Sequence, residues 1–191
     1  MRILMRAILS VFVGLMVLIV SSCNVNVKKD SQGEDKNVDI KTPFAEIHVD
    51  QGADVRDTGL PVYAGARLKQ KSGDEEKNAN VNISAFGYGL RVVAVEYESD
   101  DSPSKVVAFY QGQLKRYGNV LECRTSGTHN GAEHDSAGSQ ELKCEGDNTG
   151  NTVELKAGIK SNQHIVSIEP HGKGSNFALV YVHTRGKDDT I

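Results

Sequence analysis

No tryptophan occurs among the 191 residues, and phenylalanine and tyrosine together supply only eleven positions. So few aromatic side chains beside 19 glycines point to a modest, turn-rich core and away from a large apolar pocket. Positive charge is also short. The 22 basic residues are outnumbered by 25 acidic ones, giving a net charge of −3, which argues against nucleic acid as a partner. The same balance argues against electrostatic docking on anionic lipid. No apolar stretch is long enough to span a bilayer: Ala7 to Val20, interrupted only by Ser10 and Gly14, is fourteen residues, where a spanning helix needs about 20. There is no G-x-S-x-G elbow, no H-E-x-x-H and no C-x-x-C, so no local motif proposes a nucleophile, a zinc site or a redox pair.

What is present begins with a leader. Arg2 and Arg6 precede the fourteen-residue apolar run, the layout of a secretory signal, whose apolar region is about 7–15 residues. Val20-Ser21-Ser22-Cys23 then resembles the bacterial lipobox, a branched apolar residue and two small residues before a cysteine. That resemblance implies lipidation of Cys23, cleavage before it and acylation of the new amine, with residues 1–22 as the signal peptide. A diacylglyceryl cysteine carries two chains, enough for stable attachment, whereas one chain binds only marginally. Two other readings compete: a non-lipidated signal cut after the small residues Ser21 and Ser22, and an uncleaved anchor, for which the run is short. Asn24 stands where an aspartate would resemble the inner-membrane retention signal of some Gram-negative bacteria, which favours the outer membrane. Loss of residues 1–22 removes two arginines and no acid, moving the net charge from −3 to −5.

With Cys23 assigned to lipid, Cys123 and Cys144 remain. In an exported chain such a pair is expected to be a disulfide. It would close a loop of about 22 residues, worth roughly 3 kcal/mol in the chain-entropy account. Residues 24–37, "NVNVKKDSQGEDKN", carry little apolar surface and read with Cys23 as a lipidated, flexible tether of about 20 Å reach. A single domain is expected over 38–186, followed by a polar tail at 187–191.

Within that domain, "VDIKTPFAEIHVD" alternates around Pro43 as two short strands or a bent edge strand. "GLPVYAGARLKQ" gives turn signals followed by a short extended piece. "NVNISAFGYGLRVVAVEYES" reads as a hairpin turning at Gly87-Tyr88-Gly89. The period then changes to helical. Ser102 is placed as N-cap, Pro103 at the first helical position, and Val106, Phe109, Tyr110, Leu114 and Tyr117 on one face. Gly118 would give a left-handed cap. "TVELKAGIK", "QHIVSIEP" and "NFALVYVHT" follow as three strands. Many strands around one helix over 102–117 predict an α+β fold, a mainly antiparallel sheet with that helix packed on a face. The series "IKTPF", "GLPVYAGARL", "DDSPSKVVAFYQGQLKRYGNVLEC", "ELKAG", "QHIVSIEP" and "FALVYV" resembles a family of uncharacterised bacterial envelope lipoproteins, over most of residues 40–182. That resemblance supports the architecture and implies no activity.

Candidate chemistry is thin. His129, Glu133, His134 and Asp135 in the insert between the cysteines could ligate zinc or another transition metal, His129 and His134 foremost, or they form a solvated loop tip. His164 shares a strand face with Val166 and Ile168 and is expected to be a hydrogen-bonded histidine at the core edge. "GYG" and "HGKGSN" lead into strands, so they read as hairpin turns and not phosphate loops. Asp100-Asp101, and Glu145 with Asp147, lack the spacing of a calcium loop. The expectation is a lipid-anchored cell-envelope protein, non-enzymatic and needing no cofactor, that interacts with another envelope protein. The alternative is a metal-binding protein or hydrolase-type enzyme centred on the histidine-bearing insert.

Overall fold

The computed structural model describes residues 24–29, 35–50, 52–69, 78–125, 139–144 and 148–186. Ten strands form one antiparallel sheet among them: β1 (Asn24–Lys29), β2 (Asp35–Lys41), β3 (Ala45–Asp50), β4 (Arg67–Leu68), β5 (Asn78–Ala85), β6 (Tyr88–Ser99), β7 (Leu121–Thr125), β8 (Thr152–Ile159), β9 (Asn162–His171) and β10 (Gly174–Arg185). The spatial order is β1-β2-β3-β5-β6-β10-β9-β8-β7, and β4 adds a short pairing to β6. One α-helix, α1 (Pro103–Leu114), leaves the end of β6 and carries the chain to β7 on the far edge. The α+β expectation holds.

Local chemistry explains the elements. Phe86 (φ 53°) and Gly87 (φ 87°) both take positive φ in the two-residue turn joining β5 to β6, the geometry that matches the twist of paired strands. Helix α1 starts with Pro103 at its first position behind an extended Ser102, although the serine side chain makes no capping hydrogen bond to the backbone. A short 3-10 turn, Lys115–Tyr117, prolongs the helix. Gly118 (φ 129°, ψ −158°) then leaves it at a positive φ outside the left-handed helical region, so the expected left-handed cap is replaced by this tightened turn, closed by a Gly118 N–H to Lys115 O bond of 3.3 Å.

Helix α1 buries Val106, Tyr110 and Leu114 completely against the sheet, where they meet Val95, Leu155, Val166, Ile168, Phe177 and Leu179. Each such side chain removed from water contributes about 1.5–3 kcal/mol. Tyr110 donates to the Pro61 carbonyl and accepts from the Tyr63 N–H, both at 3.1 Å. The segment 53–63 is thereby tied across the same face as the helix. Burial pushes the Tyr110 hydroxyl pKa well up, so it stays protonated. Cys123 and Cys144 are joined by the expected disulfide, with Cα atoms 5.3 Å apart.

Residues 24–37 depart from the expected tether. Most of them belong to β1 and β2, because Val25 and Val27 fall opposite Ile40 and Val38, and that pair of strands continues in register onto β3. The alternation was there, but it spans only two valines in the first strand, among lysines and asparagines. The histidine-bearing insert and its candidate ligands His129, Glu133, His134 and Asp135 lie outside the described residues, as do Cys23 and the tail 187–191.

Candidate functional site: two faces of one sheet

The pairing register assigns every sheet side chain to one of two faces. On the helix face, β6 and β8–β10 present the core. Beyond β6 the same face turns polar: Asn78, Asn80 and Asn82 of β5, then Glu46, His48 and Asp50 of β3, then Asn37, Asp39 and Lys41 of β2. The opposite face does the reverse. There Val27, Val38, Val49, Val81, Val92 and Val182 form one row across six strands. Val25, Ile40, Ile47, Ile83 and Leu90 form the row beside it. Among the described residues no second layer covers these rows. The side chains are half-buried by their sheet neighbours, and Val25 and Val27 at the edge are 59% and 40% exposed.

The polar part of the helix face holds an open groove of about 480 Å³ lined by Glu46, His48, Asn82, Ser84, Arg91, His183 and Arg185. His48 Nδ1 lies 2.5 Å from Asp39 Oδ1, and this contact holds the Asp39 carboxyl below its usual pKa. This is a base with an orienting carboxylate. Among the described residues no hydroxyl or thiol is hydrogen-bonded to His48. Arg91 reaches Asp57 at 3.5 Å, and Lys41 holds Glu46 at 2.5 Å. Two buried polar atoms on the groove, Arg91 Nε and His183 Nδ1, have no partner. No group of three metal-ligating side chains occurs among the described residues.

A ring ladder leads from the core toward this groove. Tyr117 stacks on His164 at 3.6 Å, His164 meets Tyr181 at 5.0 Å, and Tyr181 parallels His183 at 6.3 Å. His164 is the expected core-edge histidine: it is 8% exposed, and its Nδ1 donates to the Thr58 carbonyl at 2.8 Å. Tyr117 donates to the Gly59 carbonyl at 2.5 Å. Gly59 (φ 71°) is needed there, because a Cβ would stand 2.6 Å from that hydroxyl. Phe109, Tyr110 and Tyr117 therefore belong to the packed core and its rim, as the helical spacing predicts. Asp100 pairs with Arg67 at 3.0 Å, and Asp101 takes Lys105 at 2.6 Å and the Tyr63 hydroxyl at 2.9 Å. Both aspartates are engaged in holding the helix start to β4 and β6.

Burial pushes the His164 pKa below its ordinary 6.5, against the opposing pull of the Thr58 hydrogen bond. The unfolded chain therefore binds the extra proton first as pH falls. The stabilisation is complete above pH 6.5 and is lost as pH drops through the lower folded value. Urea midpoints should fall between about pH 7.5 and about pH 5.5, and His164→Gln should flatten that slope.

Comparison of the chain with protein-family models, with curated proteins and with solved structures gives no match. No helix among the described residues is long and apolar enough to cross a membrane.

Proposed function

We propose that this chain is a lipid-anchored cell-envelope protein, held through Cys23, whose folded part is a non-enzymatic interaction module for another envelope protein. The leader and Val20-Ser21-Ser22-Cys23 support the anchor. The Cys123–Cys144 bridge accords with export to an oxidising compartment.

The observation that carries the interaction reading is the valine row opposite the helix face. Six strands spaced about 4.8 Å apart, bearing two rows about 6.8 Å apart along them, present roughly 400 Å² in plan. That is the size of the largest apolar patch on an ordinary monomer, about 300–600 Å², a patch that is often functional. A second protein layer is the usual cover for such a face, since sheets and helices bury one apolar side against a neighbour. The row carries no charge, so an apolar surface would meet it without leaving an ion unpaired.

A photo-crosslinking side chain placed at Val81, in the middle of the row, should give a discrete adduct in intact cells. The same group at Asn82, one residue on and facing the groove, should not. An adduct of twice the chain mass would make the partner a second copy. Equal labelling from both positions, or from neither, would reject the docking face.

A further inference from the structure

The end of the sheet where the described chain begins has a composition of its own. Asn24 pairs with Lys41, Lys41 with Glu46, Glu46 with Ser84, Ser84 with Gly89 and Gly89 with Arg185, so these residues lie in one cross-strand line at one end of the sheet. The turns that project beyond that line carry Phe44, between β2 and β3, and Phe86, between β5 and β6. The two rings stack at 5.9 Å with 15° between planes. Phe44 is 62% exposed, Phe86 71% and the adjacent Tyr88 60%. Three of the eleven aromatic residues of an aromatic-poor chain thus stand in water at one end. A turn tip needs no aromatic ring, so their place calls for a ligand.

Residue identity by depth is the second observation. The tips are apolar, and about 10 Å further along β6 and β10, three residues on, come Arg91, which reaches Asp57 at 3.5 Å, and His183, beside Arg185 on the same groove. Apolar rings first and the partly exposed guanidinium groups of Arg91 and Arg185 behind them reproduce the order of a bilayer surface, acyl boundary and then headgroup oxygens. The third observation is where the preceding chain arrives: Cys23 is bonded to Asn24, which sits on this line and no other.

We infer that this end of the sheet is a bilayer-facing edge, with Phe44, Phe86 and Tyr88 lying in the interface and the Arg91–His183–Arg185 side of the groove meeting the headgroups. The occupant is a phospholipid surface. The inference rests on the lipid-anchored reading only for the place of Cys23. It adds a second, non-covalent attachment that orients the domain, through rings and hydrogen bonds and not through net charge.

Absence of tryptophan makes the test clean. Phe86→Trp and, separately, Phe44→Trp would each install a single reporter at the tips. Leu68→Trp is the control: Leu68 is 52% exposed and sits beside Tyr97, nine residues along β6 from Tyr88, about 30 Å away. The full chain isolated from membranes is reconstituted into phosphatidylethanolamine–phosphatidylglycerol vesicles with and without brominated acyl chains. Both tip reporters should be quenched at least about twofold and the Leu68→Trp reporter unchanged. Equal quenching at tips and control, or none at either tip, would overturn the edge. The mass of the Cys23 peptide is read on the same samples. An acylated Cys23 with unquenched tips removes the edge and leaves the anchor, whereas quenched tips with an unmodified Cys23 keep the edge and remove the anchor.

Discussion

Cys23→Ser in the full chain should abolish acyl labelling and leave the precursor uncut, heavier than the mature protein by residues 1–22. In the lipobox chemistry that the leader resembles, the thiol receives the lipid before the peptide bond ahead of it is cut, so losing one sulfur blocks both steps. Attachment has little else to fall back on. The three exposed rings at the sheet end bury far less apolar surface than two acyl chains, and each buried CH₂ contributes about 0.8 kcal/mol. Mature protein that reaches the envelope by any other cut should therefore be released by a simple wash. The measurement is intact mass together with partition between membrane and soluble fractions. A variant with unchanged mass and unchanged retention would defeat the lipoprotein reading.

The second large effect separates the two faces. Leu155 is fully buried beneath the helix, beside Val166 in the register. Leu155→Ala leaves a cavity that neighbouring strands cannot close, and should cost about 2–5 kcal/mol. Val81 lies in the uncovered row. Val81→Thr keeps the shape and β-branching and adds a hydroxyl that water can reach, so it should cost less than about 1 kcal/mol in the isolated protein. Urea unfolding of the purified chain measures both. A Val81→Thr cost equal to that of Leu155→Ala would mean that the row is already covered within one chain.

The elements most legible in the sequence were those whose signals agree at several levels. Pro103, the Val106–Tyr110–Leu114 spacing and the acidic residues ahead of them all mark one helix start and one buried face. The β5–β6 hairpin and the last three strands were equally plain, because turn residues separate Val-rich runs. The tether failed for a physical reason: β1 is an outer strand, and with only Val25 and Val27 to bury it depends on β2 and β3 for its shape. No local window contains that dependence. The face exchange was hidden in the same way. In β6, Val92 and Val93 are adjacent and equally apolar, and only the pairing of β5 and β10 shows that one meets a core and the other an open sheet face. The groove joins residues from β3, β5, β6 and β10, and nothing in their spacing along the chain announces it.

One consequence of β1 beginning at Asn24 concerns reach. A lipoprotein on a long leash sweeps a hemisphere and can search for partners well off the bilayer. Under the proposed anchoring at Cys23, the next residue, Asn24, is already paired into the sheet, so the domain would work as a post of fixed height. Strands β6 and β10 are each twelve residues long, which sets that height at about 40 Å. On that proposal, a partner for the valine face would have to come to the membrane to meet it, edge-on and within that height. Diffusion in the plane, and not the swing of a tether, would then govern how often the two collide.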